Sequence, residues 1–229
     1  MRVVIFDLDG TLIDSQLHII SAMTKAFAAE GLAEPSPEAI RGVIGLSLDD
    51  AIGTLAPEVS GMWLERVGNR YRDVYFDSKQ SGADVEPLAA GTLDMLNVLD
   101  QAGWQLAIVT GKGRRGLLSV LDGHGLRPRF VVLKSADDGP GKPDPTILRD
   151  AMSEAGAAPE TTVMIGDTVF DLQMARAARV ASIAVTWGYH KRDMLLAEKP
   201  AAIIDGFAEL HEVAERIIAG GAMLKRSGG

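Results

Sequence analysis

Four aspartates stand at two places in the sequence where a short apolar run ends. Asp7 and Asp9 follow VVIF in the segment DLDGT, and Asp167 and Asp171 lie in GDTVFD directly after TVMI. Asp7 and Asp9 can face a common crevice because the chain must turn at Gly10, and their joint negative charge is costly unless a cation lies between them. Carboxylate oxygens are hard ligands that favour Mg²⁺. The two segments therefore predict a metal site, with a solvated turn and a helix cap as the alternatives.

Groups that could hold a phosphate occur at two further positions. Thr110 and Gly111 offer a hydroxyl and a flexible backbone N–H after a second apolar run, an arrangement that can cradle a phosphate. Lys142 lies in GKPDP, a loop stiffened by Pro143 and Pro145, where its ammonium could act as a point charge on phosphate. An ordinary strand-to-helix turn and a surface lysine are the alternatives at these positions.

The elements that must position these residues alternate between strands and helices. Short apolar runs predict strands at residues 3–6, 106–109, 130–133, 163–165, 183–185 and 202–204. Helical patterns between them, as at residues 92–102 and 145–156, predict an α/β fold with a Rossmann-like open parallel sheet. The carboxyl ends of parallel strands meet at one edge of such a sheet, where the candidate side chains would converge.

The alternation is interrupted between residues 15 and 86, where helical signals follow one another without a convincing strand. Ser36 and Ser47 are typical of helix starts. An apolar stripe at the beginning of this region consists of Leu17, Ile20, Met23 and Phe27. We therefore predict a core domain at residues 1–14 plus 87–229 and a helical cap domain at residues 15–86, with Gly82, Pro87 and Gly91 marking the return hinge.

The composition narrows the classes of function. The chain has 229 residues with 31 acidic and 23 basic side chains, a net charge of −8 and a hydrophobic fraction of 47%. These values are typical of a globular protein, and an acidic chain is a poor generic partner for nucleic acid. The absence of cysteine excludes a disulfide framework and makes a reducing cytoplasm the compatible location. No apolar run approaches the ~18 residues that span a bilayer, so we expect no membrane partner.

The motifs, taken in order, resemble those of the haloacid dehalogenase superfamily of phosphohydrolases. DLDGT, the turn at Thr110, Lys142 and GDTVFD carry this resemblance, which spans nearly the whole chain. Arg41 in RGVIGLSLDDAI and the segment WGYH at residues 187–190 are similar to parts of the phosphoglycolate phosphatase-like members. The resemblance implies an enzyme that hydrolyses phosphoric monoesters beneath a cap that selects the substrate.

The resemblance also implies roles for single residues. Asp7 would be the nucleophile that forms an aspartyl phosphate, and Asp9 the acid that protonates the leaving oxygen and then activates water. Thr110, the N–H of Gly111 and Lys142 would hold the transferring phosphoryl oxygens. Lys142 would also balance the charge of the carboxylates.

A Mg²⁺ cofactor is part of the same implication. Its ligands would be the Asp7 carboxylate, the main-chain carbonyl of Asp9 and Asp167, with Asp171 nearby or bound through water. Such an ion lets an anionic nucleophile approach an anionic phosphate.

The expected reaction is cleavage of an O-phosphate of a small metabolite, because the dehalogenating and phosphonate-cleaving branches lack an acid at the position of Asp9. The expected substrate is 2-phosphoglycolate, and Arg41 could bind its carboxylate. Pyrophosphate and sugar phosphates are alternative substrates. Phosphoryl transfer of the β-phosphoglucomutase type and a non-catalytic binding protein are alternative functions, and the apolar positions of the cap leave a homodimer open.

Two further groups are less informative in the sequence. His18 is expected to be a partly exposed surface residue rather than a catalytic one. Lys112, Arg114 and Arg115 in TGKGRRG would lie near the mouth of the crevice, where they could attract small anions or form an ordinary solvated helix start.

Overall fold

Six parallel strands form one sheet in the computed structural model, which describes residues 1–80 and 86–226. The strands are β1 (Val3–Phe6), β2 (Gln105–Val109), β3 (Val132–Lys134), β4 (Thr162–Gly166), β5 (Ala181–Val185) and β6 (Ala202–Ile204). The predicted open parallel sheet is confirmed, and each predicted run overlaps a strand. β3 begins later than predicted because a 3₁₀ turn over Arg127–Arg129 occupies the preceding residues and ends at Phe130.

The strand order places the end of β1 at the centre of the molecule. The order is β3-β2-β1-β4-β5-β6. Strands β2 and β3 therefore lie on one side of β1, and β4, β5 and β6 lie on the other. Phe6 pairs with Ile108 of β2 and with Ile165 of β4, which sets the carboxyl ends of three strands level. Open α/β sheets bind ligands outside the carboxyl ends of their strands where the strand order reverses. The segments after β1, β2 and β4 therefore meet at one site.

Four helices follow β1 and form a cap. They are α1 (Gln16–Ala29), α2 (Pro37–Arg41), α3 (Leu48–Leu55) and α4 (Met62–Gln80). Ser36 and Ser47 cap α2 and α3 as predicted, each accepting a backbone N–H with its side chain. The prediction for Leu17 is wrong: it is 76% exposed, whereas Ile19 continues the buried face from Met23 because residues four apart share a helix face.

The cap has a hydrophobic cluster of its own. Its buried members include Ile19, Phe27, Ile52 and Val67, which come from α1, α3 and α4. This separate cluster agrees with the predicted cap, whose boundaries at residues 15 and 86 stay a prediction. Gly82 lies outside the described residues.

The remaining helices cover both faces of the sheet. They are α5 (Thr92–Gln101), α6 (Arg114–Gly123), α7 (Thr146–Glu154), α8 (Val169–Ala178), α9 (Arg192–Ala197) and α10 (Leu210–Arg226). Alternate residues of β1 point to opposite faces, so Val4 and Phe6 share a cluster with α5, α6 and α10, whereas Val3 and Ile5 share one with α7 and α8. Among the described helices, none combines the length and apolar character needed to cross a membrane.

Candidate active site

A cavity of about 430 Å³ lies between the cap and the carboxyl edge of the sheet. On the sheet side it is lined by Asp7, Asp9, Thr110, Gly111 and Lys112. On the cap side its lining is largely apolar and includes Ile19, Met23, Ile40, Ile44, Tyr71, Tyr75 and Phe76. Its volume lies within the usual range of small-molecule sites. The segments after β1 and β2 thus share one cavity.

Asp7 is the first residue after β1 and is almost fully buried. Its N–H donates to the carbonyl of Ile165 at 2.9 Å, which continues the pairing with β4. Gly10 then turns the chain with φ of +86°, and a Cβ at this position would collide with the carboxylate of Asp167. Glycine therefore lets the DLDGT segment fold against the second acidic segment.

Asp167 and Asp171 are fixed by hydrogen bonds from neighbouring segments. Asp167 accepts the Thr11 hydroxyl at 2.8 Å and the backbone N–H of Tyr189 at 2.9 Å. Asp171 accepts the backbone N–H of Thr168 at 3.1 Å and its hydroxyl at 2.7 Å. Thr168 is also the N-cap of α8, so helix capping and the acidic cluster coexist at this segment.

Asp7, Asp167 and Asp171 form a buried cluster in which each offers one oxygen within 4.8 Å of the others. Burial, reinforced by Asp171 and Asp9, raises the pKa of Asp7 to about 7 although Lys142 acts to lower it. Burial and the neighbouring carboxylates also raise the pKa of Asp167 well above its ordinary value. When all groups are ionised, three carboxylates face one ammonium. A divalent cation would balance the remaining charge, so these oxygen ligands fit Mg²⁺.

Lys142 is completely buried, so the alternative of a surface lysine is wrong. Its Nζ lies 2.7 Å from Asp7 Oδ1 and 2.6 Å from Asp171 Oδ1. Only the contact with Asp171 has hydrogen-bond alignment, and both oxygens of Asp7 lack a hydrogen-bond donor among the described residues. Burial disfavours the ammonium, but Asp171 and Asp7 raise the pKa of Lys142 above its ordinary value. Lys142 therefore balances the carboxylates from beneath the cavity, whose lining does not include it.

The side chain of Asp9 has separate partners. Its Oδ1 accepts hydrogen bonds from Lys112 Nζ at 2.8 Å and from Ser15 Oγ at 2.5 Å. Lys112 pairs with Asp9, whereas Lys142 is shared by Asp7 and Asp171, and the expected cation between Asp7 and Asp9 stays a prediction. The main-chain carbonyl oxygen of Asp9 accepts no hydrogen bond within residues 1–80 and 86–226, which leaves it available to a cation.

The turn after β2 lies directly under a loop of the cap. Thr110 is buried, and its hydroxyl accepts the backbone N–H of Lys112 at 3.1 Å. A Cβ on Gly111 would collide with the carbonyl oxygens of Gly45 and Leu46, which lie between α2 and α3. Glycine at position 111 therefore permits the close approach of the cap loop to this turn.

Two cap residues singled out in the sequence lie away from the cavity. Arg41 donates its Nε to Gln16 Oε1 at 2.9 Å, and its guanidinium lies 3.9 Å from Glu38. Neither Arg41 nor the half-buried His18 belongs to the cavity lining found in the described part of the chain. The position of Arg41 thus gives no support to its predicted contact with a substrate carboxylate. Arg115 does line the cavity, with its guanidinium 3.8 Å from the centroid of the Phe76 ring.

The WGYH segment forms hydrogen bonds with residues of the acidic cluster and of the segment after β1. The indole N–H of Trp187 donates to the carbonyl of Thr11 at 3.0 Å. The phenol oxygen of Tyr189 accepts the backbone N–H of Ser15 at 3.0 Å, while its own backbone N–H holds Asp167. Over the described ranges, residues 187–190 do not line the cavity.

Sequence reasoning missed the side chains of Thr11 and Ser15, and it placed Lys112 near the mouth of the crevice without its partner. Thr11 belongs to DLDGT, so its proximity to the two acids was the available signal. Lys112 follows the Thr110 turn, which places it near the mouth but gives no sign that it pairs with Asp9. Ser15 carries no pattern of its own, since its contact with Asp9 depends on how the chain enters α1.

Comparison with known proteins identifies related sequences along the whole chain. Residues 4–185 match the family model described as haloacid dehalogenase-like hydrolase. A Dickeya dadantii protein named "Probable phosphatase IndB" is 36% identical over 219 residues, which cover 94% of each chain. A phosphoglycolate phosphatase of Vibrio vulnificus is 31% identical over 221 residues, which cover 93% of this chain and 96% of its own.

The fold is also similar to that of solved structures. A haloacid dehalogenase-like family hydrolase from Streptococcus pneumoniae superimposes with a TM-score of 0.79 and 27% sequence identity. The superposition covers 93% of this chain and 97% of that one, so it includes both the sheet and the cap helices. From the family match and the two relatives that exceed 30% identity over most of their length, this chain belongs to the haloacid dehalogenase-like hydrolase family.

Proposed function

We propose that this chain is a Mg²⁺-dependent phosphatase that hydrolyses a small phosphate monoester through a phosphorylated Asp7. The observation that carries the proposal is the environment of the Asp7 carboxylate. It is buried at the end of β1, contacts the cavity and receives no hydrogen bond from the described residues. A carboxylate held by an ion pair alone keeps lone pairs for attack on phosphorus. The names of two relatives support the same class of reaction.

In the first step, an oxygen of Asp7 attacks phosphorus while the bond from phosphorus to the leaving oxygen breaks. Asp9 gives its proton to the leaving oxygen, which departs as an alcohol. Thr110 and Gly111 line the same cavity, and the Thr110 hydroxyl and the Gly111 N–H would hold the phosphoryl oxygens. Covalent capture divides one difficult displacement into two easier ones.

In the second step, water attacks the phosphorus of the aspartyl phosphate. Asp9 accepts a proton from this water, and the bond between phosphorus and the Asp7 oxygen breaks. Asp9 returns to its protonated form and Asp7 to its carboxylate. One turnover therefore consumes the ester and one water and releases the alcohol and inorganic phosphate.

Asp7 and Asp167 are the proposed direct carboxylate ligands of Mg²⁺, together with the main-chain carbonyl of Asp9. Asp171 is already engaged by Lys142 and Thr168, so we place it near the ion or bound through water. When bound, the ion would neutralise charge between the anionic nucleophile and the anionic phosphate. Lys142 balances the carboxylates that remain.

The proposed substrate is 2-phosphoglycolate. Relatives named phosphoglycolate phosphatase reach 31% identity over more than 90% of both chains, which supports this choice over other phosphate esters. The substrate partner is thus a small phosphorylated metabolite. A cytoplasmic location and a homodimer stay predictions from the sequence.

Phosphorus NMR of the purified protein with Mg²⁺ tests the proposal. Separate tubes contain 2-phosphoglycolate, pyrophosphate, a sugar 1-phosphate and 4-nitrophenyl phosphate, and Asp7→Asn is the control. We expect inorganic phosphate to form fastest from 2-phosphoglycolate. Faster release of inorganic phosphate from another compound would make that compound the proposed substrate. Conversion of the sugar 1-phosphate to its 6-phosphate would identify the protein as a mutase. No reaction in any tube would contradict the proposed phosphatase.

A further inference from the structure

The Asp9 carboxylate is held from one side only. Its Oδ1 receives both Lys112 Nζ at 2.8 Å and Ser15 Oγ at 2.5 Å. In the chain that the structure describes, no donor makes a hydrogen bond to Oδ2. The side chains of Asp9 and Lys112 are each 8% exposed, so the pair is shielded from solvent. The two oxygens of Asp9 are therefore not equivalent.

Both donors are themselves fixed by contacts with other segments. Ser15 is fully buried at the entrance to α1, and its backbone N–H donates to the Tyr189 phenol oxygen at 3.0 Å. Lys112 is anchored by its backbone N–H on the Thr110 hydroxyl. Its Nζ lies 5.0 Å from the centroid of the Tyr75 ring, a cation–π contact with the cap helix α4. Asp9 is thus held between the core, the cap entrance and the cap.

We propose that Lys112 and Ser15 are positioning residues that hold Asp9 by Oδ1 and leave Oδ2 as the oxygen that passes the proton. A carboxyl group alone rotates broadly about its last torsion, and proton transfer needs the reacting oxygen within hydrogen-bond reach. Two donors on one oxygen remove this freedom. The inference rests on the proposed function, since it assigns how Asp9 acts within that reaction.

The leaving group provides a test that a purely structural role would not affect. An alkyl phosphate needs a proton on its leaving oxygen, whereas 4-nitrophenolate leaves at neutral pH without one. The value of kcat/KM reports the step in which the leaving group departs. If Lys112 and Ser15 position Asp9 for that step, their removal must harm the alkyl ester far more than the aryl ester.

The variants are Lys112→Met, Lys112→Arg and Ser15→Ala, measured with Mg²⁺ on two substrates. These are 4-nitrophenyl phosphate and whichever alkyl phosphate of the panel above has the highest kcat/KM. Lys134→Met is the matched control, because Lys134 also forms a 2.8 Å ion pair, with Glu154, but does not line the cavity. Thermal melting of each variant verifies that it is folded, and Ser15→Ala tests the inference independently should Lys112→Met fail to fold.

For Lys112→Met we expect a loss of about 10- to 100-fold in kcat/KM on the alkyl ester, within the range of general acid catalysis, and less than about 3-fold on the aryl ester. Ser15→Ala should show the same asymmetry with a smaller loss, and Lys112→Arg should restore most of the alkyl activity. Equal losses on both esters would overturn the inference, because they would place Lys112 on the phosphoryl group or in the fold. A wild-type protein that hydrolyses neither ester would instead overturn the proposed function and this inference with it.

The ion pair can also be observed without turnover. In metal-free protein labelled with ¹⁵N, the buried ammonium of Lys112 should give a slowly exchanging signal that is absent from Lys112→Met. Asp9→Asn should shift this signal or abolish its protection, while Asp122→Asn on the surface should leave it unchanged. An unaltered Lys112 signal in Asp9→Asn would contradict the pairing.

Discussion

Asp7 and Asp9 lie two residues apart, yet each has its own lysine. Lys142 Nζ lies 2.7 Å from Asp7, and Lys112 Nζ lies 2.8 Å from Asp9. The first pair belongs to the acidic cluster that could hold a cation, and the second lies beside it. In the proposed reaction Asp7 is the nucleophile and Asp9 exchanges protons, so the two roles fall on carboxyl groups with separate partners.

Asp7→Asn is expected to lower kcat at least about 1,000-fold, as removal of a nucleophile does. The metal-free variant should melt no lower than the wild type, since burial already disfavours the ionised carboxyl and Lys142 keeps Asp171 as a partner. Steady-state kinetics and a thermal melt measure the two effects. Asp122→Asn is the control, and near-normal turnover by Asp7→Asn would contradict the assigned nucleophile.

For the proposed Mg²⁺ site, a pH dependence of binding is expected from the carboxyl group of Asp7. Its pKa is about 7 in the metal-free fold against 3.8 ordinarily, so the folded protein binds the extra proton between these values. The contribution of Asp7 to stability is therefore greatest below about pH 4 and is lost as the pH rises to about 7. Mg²⁺ binds the ionised form of Asp7, so the stabilisation of the fold by Mg²⁺ is expected to increase as the pH rises over this range.

The measurement is the rise in Tm on adding excess Mg²⁺, taken at about pH 5 and about pH 8. We expect the larger rise at the higher pH, with EDTA reversing it. An equal or larger rise at the lower pH would contradict a cation site built on these carboxylates.

The residues of the sequence motifs could be predicted one by one. The side chains that contact them could not. Asp7, Asp9 and Asp167 each follow a strand, so their convergence follows from parallel topology alone. The contact between Lys112 and Asp9 joins residues 103 positions apart and depends on side-chain reach. No local pattern encodes such a contact.

At the scale of elements, the strands were predictable because each contains a short apolar run, and the four inner strands β1, β2, β4 and β5 are buried almost throughout. The apolar stripe predicted that the cap begins with a helix, but not which face of helix α1 is buried. Leu17 and Ile19 are both apolar, and only packing against the rest of the cap decides that Ile19 is the buried one. The approach of the cap loop to Gly111 is likewise a tertiary property.

This approach gives a prediction for Gly111→Ala. The added methyl group would collide with backbone carbonyls of Gly45 and Leu46, so the cap loop must move. We expect kcat/KM to fall about 10- to 100-fold, because small displacements of groups that orient the substrate have effects of this size. Gly53→Ala is the matched control in the cap helix α3, since a Cβ there meets nothing within 4 Å. Unchanged kinetics in Gly111→Ala would show that the loop position does not matter.

At the scale of the whole molecule, the cavity is lined by polar residues that follow β1 and β2 and by members of the hydrophobic cluster of the cap. The proposed catalytic residues lie on the sheet side of the cavity, and the largely apolar lining belongs to the cap. In the proposed function, substrate choice therefore depends mainly on cap residues, which carry the weakest sequence patterns. For this reason the sequence predicts the reaction more sharply than the substrate.

We expect ligand binding at the sheet side of the cavity to reduce the motion of the cap loop above it. Inorganic phosphate with Mg²⁺ would occupy the turn at Thr110, directly beneath the cap loop at residues 42–46. We expect hydrogen exchange of this loop to slow by about 5-fold or more, since ligand contacts suppress local opening. Strand β6, at the far edge of the sheet, should not change and serves as the reference. Equal slowing of hydrogen exchange in the cap loop and in β6 would contradict ligand binding beneath this loop.

Capture of the phosphorylated enzyme tests most directly whether Asp7 is the nucleophile. Wild-type protein is mixed with Mg²⁺ and the best substrate, quenched in acid within milliseconds, digested and analysed by mass spectrometry. We expect a hydroxylamine-sensitive phosphoryl group on the peptide that contains Asp7, and its loss in Asp7→Asn. Rapid release of phosphate with no modified peptide, or a phosphoryl group on another residue, would contradict this role of Asp7.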